Sequence, residues 1–559
     1  MPATVAALLI NRGITTPEAA RAFLHPTLAE LPAPDLMQDM KQAVDLLAAA
    51  LKTGQPILIY GDYDVDGLTG SAVLFLFLRQ AGAQVRAFQP DRLTDGYGLH
   101  GHLLDQLRPT LAAGQPLLLT VDCGITSHAA VAKAKQLGFA VIITDHHQPE
   151  AELPAADAIL NPYRPDCPFP CKGLAGVGVA FYLVMGLRSR LTAEGFWQHQ
   201  HPPNLKEYLD LVALGTVADM VELTEANRIL TRAGLEVLGQ RKRAGLASLC
   251  ELAGLTGPVR ADDIAYQLAP RLNAASRLGS AATAFRLLTT DDPEEGRELA
   301  RQLDAVNQQR RELGTAVYEA VRPQAETAVD RGKGVLIFAD EGWHPGILGI
   351  VAARLSREFH RPALVFAICN GVAKGSGRSV AGIDLLGMLA CGATCLKEYG
   401  GHPMALGVTL AADDLAEFTA TMEGVAAMVR PETLVAPLTV ELLPGGQDLE
   451  ELVAWYPRLE PFGVGNPEPV FAGRGVPEKM RIVGGRHAKF RWPVSDRTFD
   501  AIQFNQLARK NQEPPQAKAM DFAFSLRRNT FQGRESWQLH GQAIMFLTSC
   551  LFVIILNYT

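Results

Sequence analysis

A chain of 559 residues with 48% hydrophobic and 20% charged residues is long enough for three or four domains and has the composition of a globular protein. Residues 1–10 hold no basic segment and no long apolar run, so no signal peptide is predicted and we expect a cytoplasmic protein. The eight cysteines are scattered, and neither Cys167/Cys171 nor Cys391/Cys395 has a second half of zinc type nearby, which disfavours a zinc site.

The net charge of −7 is unevenly distributed along the chain. Residues 471–540 hold 13 Lys and Arg against 6 Asp and Glu, a local net charge of +7. Residues 541–559 hold no charged residue, so the first 470 residues carry −14. An acidic body with a basic C-terminal module fits a metal site joined to a polyanion-binding domain.

Residues 1–45 predict a helical segment with a polar surface, in which Thr16-Pro17-Glu18 is a helix start. From Ile57 strands and helices alternate, which predicts a parallel, doubly wound sheet whose ligands lie outside the carboxyl ends of the strands. The predicted elements are strand 57–60, helix 68–81, strand 84–89, strand Leu117–Val121, helix 127–137 and strand Phe139–Thr144.

Acidic and histidine residues follow the predicted strands. Asp62, Asp64 and Asp66 come at every second position after the first strand, so an extended chain would place all three on one face. Three carboxylates at that spacing repel unless cations neutralise them, and hard oxygen ligands suit Mg²⁺ or Mn²⁺. One such residue is usually a turn or a helix cap. The recurrence of Asp122, of Asp145-His146-His147 and of Asp219 near later element ends favours a metal site instead.

These motifs resemble those of the DHH phosphoesterase superfamily. Gly61–Gly67, Val121–Gly124, Asp145–His147 and Gly215–Asp219 look like its first four motifs. Within the superfamily the chain resembles the RecJ family, the bacterial single-strand-specific 5′→3′ exonucleases, over roughly residues 8–543. Supporting stretches are Arg92–Leu99, Pro270–Leu278, Gly342–Gly346, Gly400–His402 and Pro461–Pro467.

The resemblance implies a phosphodiesterase site with two Mn²⁺ or Mg²⁺ ions. The implied ligands are Asp62, Asp64, Asp66, Asp122, His146 and Asp219, and which of the first three touch metal directly stays open. Asp145 would orient His146, and His147 would reach the scissile phosphate. Two cations lower the pKa of a bridging water and stabilise the attacking and leaving oxygens.

A long connecting helix is predicted at residues 285–327, and we expect Pro323 to end it. Its apolar stripe is interrupted by Arg310, which either extends its charge to solvent along the apolar surface or meets an anion. The resemblance implies that Arg310 or Arg311 contacts DNA phosphate.

A second α/β domain, similar to the DHHA1 domain, is predicted at residues 328–430. Ser376 and Arg378 in the turn Gly375–Ser379, with His402, resemble the family's grip on a substrate phosphate. Arg92, Tyr97 and Arg277 are the candidates for recognition of the 5′ end.

Residues 431–543 predict short strands, where the resemblance implies an OB-fold, a small β-barrel. Lys489-Phe490-Arg491-Trp492 alternates charge with aromatic rings, so one strand face could stack bases, although about half of the module's aromatic residues are expected in the core, Phe522 and Phe524 among them. Residues 544–559 are abruptly apolar and too short for a transmembrane helix, which suggests a truncated or non-native end.

The predicted segments are thus 1–45, 46–284, 285–327, 328–430, 431–543 and 544–559. The predicted function is metal-dependent 5′→3′ degradation of single-stranded DNA to mononucleotides, in repair and recombination, by a monomer without membrane association. A helicase and a single-strand-binding protein are possible partners. Two alternatives stay open: a phosphodiesterase of oligonucleotides or cyclic dinucleotides, and a catalytically silent DNA-binding scaffold. The basic module disfavours the first, and the filled metal motifs disfavour the second.

Overall fold

The computed structural model describes residues 1–112, 114–197, 201–441, 445–485, 487–504, 519–531, 534–546 and 554–556. These residues form two compact units. The terminal unit combines Met1–Thr27 with the described part of Val435–Thr559, and the central unit spans Leu28–Leu434. This division differs from the predicted first segment, 1–45, because its first two helices pack with the C-terminal part of the chain and its last helix does not.

The described residues contain helices α1 to α18 in chain order. They are α1 Ala3–Asn11, α2 Pro17–Leu24, α3 Met40–Thr53, α4 Val65–Gln80, α5 Gly101–Leu107, α6 His128–Gln136, α7 Gly176–Ala193, α8 Leu209–Ala218, α9 Glu225–Gly239, α10 Ala244–Leu252, α11 Ala261–Asp263, α12 Ala269–Leu278, α13 Ala281–Thr289, α14 Pro293–Asp330, α15 Leu348–Phe359, α16 Leu385–Ala390, α17 Leu415–Ala426 and α18 Gly446–Leu459. A π-helical turn, Ile264–Leu268, joins α11 to α12. Short 3₁₀ turns lie at Leu28–Glu30, Pro34–Leu36, Arg108–Thr110, Leu205–Tyr208, Pro345–Ile347, Ala393–Cys395, Ala412–Asp414 and Pro431–Leu434.

The strands are labelled β1 to β18 in the same way. They are β1 Ile57–Gly61, β2 Val85–Phe88, β3 Leu117–Val121, β4 Ala140–Thr144, β5 Ala158–Leu160, β6 Leu336–Asp340, β7 Ala363–Cys369, β8 Val372–Arg378, β9 Leu396–His402, β10 Ala405–Ala411, β11 Leu438–Val440, β12 Phe471–Gly475, β13 Glu478–Val483, β14 His487–Val494, β15 Arg497–Gln503, β16 Met520–Phe531, β17 Arg534–Phe546 and β18 Ile554–Leu556.

The first sheet of the central unit is parallel throughout, in the order β2-β1-β3-β4-β5. Its inner strands are continuous apolar runs, as expected for a sheet that is covered on both faces. Ile57 and Ile59 of β1 belong to the core with α3, α4, α7 and α8, whereas Leu58 and Tyr60 belong to the core with α5 and α6. The predicted doubly wound sheet is therefore confirmed, and its carboxyl edge carries the site.

The connecting helix differs from its prediction at both ends. Residues 285–327 are not one helix, because α13 ends at Thr289 and α14 begins at Pro293, where Asp292 caps its first turn. Pro323 does not end α14, which continues to Asp330. Val321 and Ala325, on either side of the proline, are buried in one cluster with residues of α15. That packing offsets the cost of an internal proline, about 3 kcal/mol.

The second sheet of the central unit has the order β6-β7-β8-β10-β9. The pair β6/β7 is parallel, and the other pairs are antiparallel. Helix α15 packs against β7 and β8. This is the predicted second α/β region, and its first strand, β6, begins at Leu336.

The terminal unit is built on a curled six-stranded sheet, β12-β16-β17-β15-β14-β13, consistent with an OB-fold. Val5 and Leu8 of α1 and Leu24 of α2 share its buried core with α18 and the strands. Arg12 binds both oxygens of Glu441 at 2.6 and 3.0 Å. The first helices are thus part of the fold of this unit.

The proposed base-stacking face of β14 is wrong. Phe490 and Trp492 are buried in the core of the terminal unit, where both rings pack edge-on against Phe522. The alternation in Lys489–Trp492 therefore reports one face toward the core and one toward solvent. The prediction that Phe522 and Phe524 are core residues is confirmed.

The expected apolar tail falls mostly outside the described residues. Its described part includes the backbone of β18, Ile554–Leu556, which pairs in parallel with β11. Among the helices that the structure describes, none combines the length and the apolar character needed to cross a membrane.

Candidate metal centre and nucleic-acid site

The three aspartates after β1 occupy different backbone positions. The predicted extended chain ends at Asp64, because α4 begins at Val65. Asp64 caps that helix: its Oδ1 accepts hydrogen bonds from the backbone N–H of Asp66 at 2.9 Å and of Gly67 at 3.2 Å. Asp66 thus lies in the first helical turn, while Asp62 stays on the extended segment. The three carboxylates do not form one row on a strand face.

Asp66 is held by the N-terminus of α7. Its Oδ2 accepts from the N–H of Gly176 at 2.7 Å, and its Oδ1 accepts from the N–H of Val177 at 2.8 Å. A helix N-terminus favours a negative charge. Glycine is required at the contact, since a Cβ on Gly176 would lie 2.9 Å from Asp66 Oδ2 and one on Gly215 would lie 3.0 Å from Oδ1.

Asp122 directly follows β3 and has a left-handed backbone, with φ of 59°. For a residue other than glycine this conformation is strained, and such strain concentrates at functional sites. Gly124 continues the turn with φ of 113°. The turn leaves Asp122 buried next to the residues that follow β4.

Asp145 organises the turn after β4. Its Oδ1 accepts hydrogen bonds from the backbone N–H of His146 at 2.8 Å, from the N–H of His147 at 3.0 Å and from Nδ1 of His147 at 2.8 Å, and its Oδ2 accepts from Ile125 N at 3.0 Å. The expected orientation of the His146 ring by Asp145 is therefore not observed. Asp145 orients the ring of His147, because the turn brings that ring back over the carboxylate.

His146 lies at the centre of three carboxylates. Its Nε2 is 3.1 Å from Asp122 Oδ1, 3.5 Å from Asp219 Oδ2 and 3.7 Å from Asp66 Oδ2. Asp219 reaches this point from the C-terminal end of α8. Three carboxylates from three different elements thus converge on the imidazole nitrogen of His146.

The ionisation of these groups reflects their burial and their mutual repulsion. Burial, followed by the charge of Asp219, raises the pKa of Asp66 to about 7. Burial and neighbouring carboxylates also raise the pKa of Asp62 and of Asp122. Burial lowers the pKa of His147, but the hydrogen bond to Asp145 and the charges of Asp122 and Asp145 together outweigh burial and raise the pKa to about 9.

The residues present fit divalent cations. Among the residues that the structure describes, three groups have potential ligand atoms within 4.8 Å of one another: Asp62/Asp64/Asp122, Asp66/His146/Asp219 and Asp122/His146/His147. Asp62 Oδ1, Asp122 Oδ1 and His146 Nε2 are buried atoms with no hydrogen-bond partner in the described part of the chain. Buried polar atoms without partners are costly unless something else binds them. Carboxylate and imidazole ligands suit Mn²⁺ and also Mg²⁺, and Asp122 is shared between two groups, as a pair of adjacent ions requires.

Four arginines from distant parts of the chain lie close to one another in the central unit. Burial, followed by the charges of Arg92, Arg310 and Arg378, lowers the pKa of Arg277 to about 9. Burial also lowers the pKa of Arg310, whose Nε is a buried atom without a hydrogen-bond partner. Cations that destabilise one another in this way form a site for an anion such as phosphate.

Arg92 connects the arginine cluster to the acidic site. The guanidinium of Arg92 lies over the ring of Tyr63, 5.0 Å from its centroid. Tyr63 stands between Asp62 and Asp64 in the chain, and the charge of Arg92 opposes the upward shift of the Asp62 pKa. The anion site and the metal site are therefore neighbours.

The other predicted substrate-binding residues lie at different places in the central unit. The Tyr97 hydroxyl lies 3.0 Å from His147 Nδ1 and 3.1 Å from the carbonyl oxygen of Asp122, so Tyr97 contacts the metal site itself. A Cβ on Gly349 would lie 3.0 Å from Arg378 and 3.6 Å from Ser376, which places both against the start of α15. His402 is exposed on the edge strand β9 and shares a register row with Ala405 and Arg378. Among the described contacts, none joins His402 to the arginines.

Sequence reasoning missed several residues that shape the site. Gly176 and Gly215 make room for Asp66, and the motif Gly-Val-Gly at residues 176–178 was a visible signal for a helix N-terminus that approaches another group closely. Tyr63 was visible only as a spacer between two aspartates. Asn161, which is fully buried and donates to the carbonyl oxygen of His147 at 2.8 Å, had no signal in the sequence.

A doubly wound sheet with Asp and His residues at successive strand ends, followed by a second α/β region, defines a protein of the DHH class. Comparisons agree: the DHH family, N-terminal domain, matches residues 56–216, the DHHA1 domain matches residues 332–428, and the RecJ OB domain matches residues 446–543.

The chain belongs to the RecJ family. It is 38% identical to the single-stranded-DNA-specific exonuclease RecJ of Escherichia coli over 96% of this chain and 95% of that protein. It is also 38% identical to the RecJ of Bacillus subtilis, over 90% of this chain, and spans 63% of the length of that relative. The crystal structure of RecJ from Thermus thermophilus in complex with Mn²⁺ matches 98% of this chain and 76% of that one, with 34% identity and a TM-score of 0.81.

Proposed function

We propose that this protein is a metal-dependent exonuclease that hydrolyses single-stranded DNA from the 5′ end and releases mononucleotides. The observation that carries the proposal is a set of overlapping carboxylate–histidine groups beside a half-buried arginine cluster, both within the central unit. Cations and arginines at adjacent points suit a substrate with successive phosphates. The relatives' printed name, single-stranded-DNA-specific exonuclease, supports the substrate.

In the proposed mechanism Asp62, Asp64, Asp66, Asp122, His146 and Asp219 hold the cations. When bound, Mn²⁺ or Mg²⁺ ions activate a water and stabilise the developing charge on the leaving oxygen. The Nδ1–H of His147 donates a hydrogen bond to Asp145, so Nε2 is the ring nitrogen available to a substrate phosphate. Tyr97 also holds this ring: its hydroxyl lies 3.0 Å from the same Nδ1, and the two rings pack edge-on.

The arginine cluster accounts for the polarity of the reaction. Arg92, Arg277 and Arg378 would bind the terminal 5′ phosphate, and Arg310 of α14 would bind a phosphate nearby. A terminal phosphate carries more negative charge than an internal diester, so a site built from several guanidinium groups favours a chain end. Ser376 and His402 extend this surface along the second sheet of the central unit.

The terminal unit would bind the rest of the strand. Residues 471–540 carry a net charge of +7, and Phe504 is 47% exposed between the rings of His487 and His540. An exposed aromatic ring in a positively charged setting stacks bases without regard to sequence. This assignment replaces Phe490 and Trp492, which are core residues.

The proposed cellular role and partners follow from the reaction. We propose a role in DNA repair and recombination, in the cytoplasm, for a monomer that acts with a helicase and a single-strand-binding protein. The proposed catalytic domain is residues 46–284, the phosphate-binding domain 328–430 and the strand-binding domain 431–543.

One oligonucleotide tests the function. It is offered single-stranded or paired, labelled at the 5′ or the 3′ end, with Mn²⁺ or with EDTA, to the wild type and to Asp122→Ala. We expect metal-dependent release of mononucleotides from the 5′ end of the single strand, lost in the variant. Binding without cleavage would instead indicate a scaffold, and cleavage confined to dinucleotides or cyclic dinucleotides would indicate a small-substrate phosphodiesterase.

A further inference from the structure

Asn227 is a buried residue of α9 whose side chain joins two loops. It lies in the first turn of the helix and is 4% exposed. Its Nδ2 donates to the carbonyl oxygen of Gly173 at 2.6 Å and to that of Glu222 at 3.0 Å. Its Oδ1 accepts from the backbone N–H of Ala175 at 3.4 Å. One amide group therefore fixes the separation of residues 173–175 from residue 222.

The first of these loops leads to Asp66. Ala175 is the residue immediately before α7, and the next two backbone N–H groups, those of Gly176 and Val177, bind the two oxygens of Asp66. A shift of residues 173–175 would move both donors, because they are the first residues of the same rigid helix. The contact of Asn227 with Gly173 and Ala175 thus determines where Asp66 is held.

The second loop leads to Asp219. Only Met220 and Val221 separate Asp219 from Glu222, and Met220 has a left-handed backbone, with φ of 63°. A turn in this conformation needs an anchor to persist. The bond from Asn227 to the carbonyl oxygen of Glu222 supplies one.

The two loops meet at one group of potential metal ligands. Asp66, His146 and Asp219 have ligand atoms within 4.8 Å of one another. The residues that follow the first loop hold the carboxylate of Asp66, and Asp219 directly precedes the second loop. Two carboxylates that close together repel before a cation binds, so the segments that hold them must be restrained. The histidine comes from a different element, β4, and has its own support in Asp145.

We propose that Asn227 is a positioning residue of the metal site: it sets the distance between Asp66 and Asp219 and so determines the affinity of this group for a divalent cation. The inference rests on the proposed metal-dependent function. It adds a residue that touches neither the cations nor the substrate, and it predicts an effect on metal affinity before any effect on DNA.

The terminal unit offers a matched control. Asn466 is fully buried, donates through Nδ2 to the carbonyl oxygens of Leu459 and Pro461 at 2.8 Å each, and accepts through Oδ1 from Arg12 at 2.9 Å. It has the same donor and acceptor pattern as Asn227 but lies in the unit without the metal site. Asn466→Asp therefore loses two buried amide donor bonds, as Asn227→Asp does, and has none of its proposed effect on metal.

The experiment titrates Mn²⁺ into the full-length wild type, Asn227→Asp, Asn227→Ala and Asn466→Asp by calorimetry, with thermal unfolding in EDTA measured in parallel. Loss of a residue that supports metal ligands typically weakens binding about 10- to 100-fold. We expect that loss in both Asn227 variants, with a wild-type affinity in Asn466→Asp despite a similar drop in melting temperature. We also expect excess Mn²⁺ to restore nuclease turnover in the Asn227 variants. Mn²⁺ affinity within about twofold of wild type in a folded Asn227 variant would overturn the inference.

A measurement on the wild type keeps the test independent of how the variants fold. Mn²⁺ should slow amide hydrogen exchange in residues 173–177 and 219–222 together, because Asn227 couples the two loops. Slowing of one segment alone would count against the coupling. Failure of the wild type to bind Mn²⁺ would refute both proposals. Binding of Mn²⁺ without DNA cleavage would refute only the proposed function.

Discussion

Two buried aspartates of the metal site show how partners decide what a carboxylate does. Asp145 accepts four hydrogen bonds, and although burial opposes it, those from His147 and Ile125 and the charge of the imidazole lower its pKa. Asp122 Oδ1 has no hydrogen-bond partner, and burial and the charge of Asp66 raise the pKa of that residue. Asp145 therefore stabilises the metal-free fold, whereas Asp122 destabilises it as long as no cation is bound.

The substitution Asp122→Asn should therefore separate stability from function. It removes one of several repelling charges at nearly constant volume, so we expect a higher melting temperature than wild type in EDTA. It also removes a shared metal ligand, so Mn²⁺ affinity and nuclease activity should fall by more than about 100-fold. Asp291→Asn, which alters an exposed ion pair with Arg79, serves as a control and should change neither. A lower melting temperature for Asp122→Asn would contradict the argument.

Asp145→Asn should have the opposite effect on stability. The amide cannot accept all four hydrogen bonds, so a buried donor is left without a partner at a cost of about 1–3 kcal/mol. We expect a lower melting temperature in EDTA and a lower turnover number, with Mn²⁺ affinity reduced less than in Asp122→Asn. Chemical denaturation with and without Mn²⁺ measures both quantities, and equal stability of the two variants would refute the distinction.

Metal binding should depend on pH through Asp66. Its pKa is raised from 3.8 to about 7, so the metal-free protein holds a proton there that the unfolded chain releases. This carboxyl therefore makes the metal-free protein less stable as pH rises from about 4 to about 7. A cation must displace the same proton, so we expect Mn²⁺ affinity about tenfold weaker at pH 6 than at pH 8. Calorimetry in buffers of different ionisation enthalpy should detect the released proton, and equal affinity without proton release would exclude this linkage.

At the scale of elements, the parallel sheet made the acidic site predictable. Since parallel strands end at one edge, Asp62, Asp122 and Asp145 had to meet there, and they do. The extended backbone predicted at Asp66 is wrong, because Asp66 lies in the first turn of α4 and the N-terminus of α7 holds its carboxylate. The arginine cluster was not predictable as a group, since its members come from four elements whose packing no local pattern specifies. The apolar stripe of α14 did single out Arg310, but not its neighbours in space.

The N-terminus of α7 should tolerate no side chain. A Cβ on Gly176 would lie 2.9 Å from Asp66 Oδ2 and 3.0 Å from Asp122, so Gly176→Ala must displace a metal ligand. We expect Mn²⁺ affinity and nuclease activity to fall by more than tenfold, in line with other supports of metal ligands. Titration of Mn²⁺ into the folded variant measures the first and release of labelled mononucleotides the second.

The long helix α14 supplies the control for that substitution. A Cβ on Gly314 would meet nothing within 4 Å, so Gly314→Ala should stabilise the helix by up to about 1 kcal/mol and leave Mn²⁺ affinity unchanged. Wild-type metal binding in Gly176→Ala, or lost binding in Gly314→Ala, would show that helix propensity rather than the close approach to Asp66 governs the result.

At the scale of the whole molecule, the order of segments along the chain does not show which of them pack into the same unit. The helical character of residues 1–45 was visible, and Thr16 does cap α2 as predicted. Nothing local could show that Val5 and Leu8 complete a core more than 400 residues away in the chain, because an amphipathic helix does not identify its partner. The same limit applies to Phe490 and Trp492, since alternation distinguishes the two faces of a strand but not which one is buried.

This arrangement changes how the strand-binding module must be removed. Deleting residues 435–559 alone would leave the apolar faces of α1 and α2 without their core, so the fragment 1–434 should aggregate. The fragment 28–434 contains the complete central unit. We expect it to fold, to bind Mn²⁺ as the full chain does and to cleave short oligonucleotides. It should bind long single strands more weakly and with a smaller salt dependence, because the basic residues of 471–540 are gone. Equal losses on short and long substrates would instead place the strand-binding surface within the central unit.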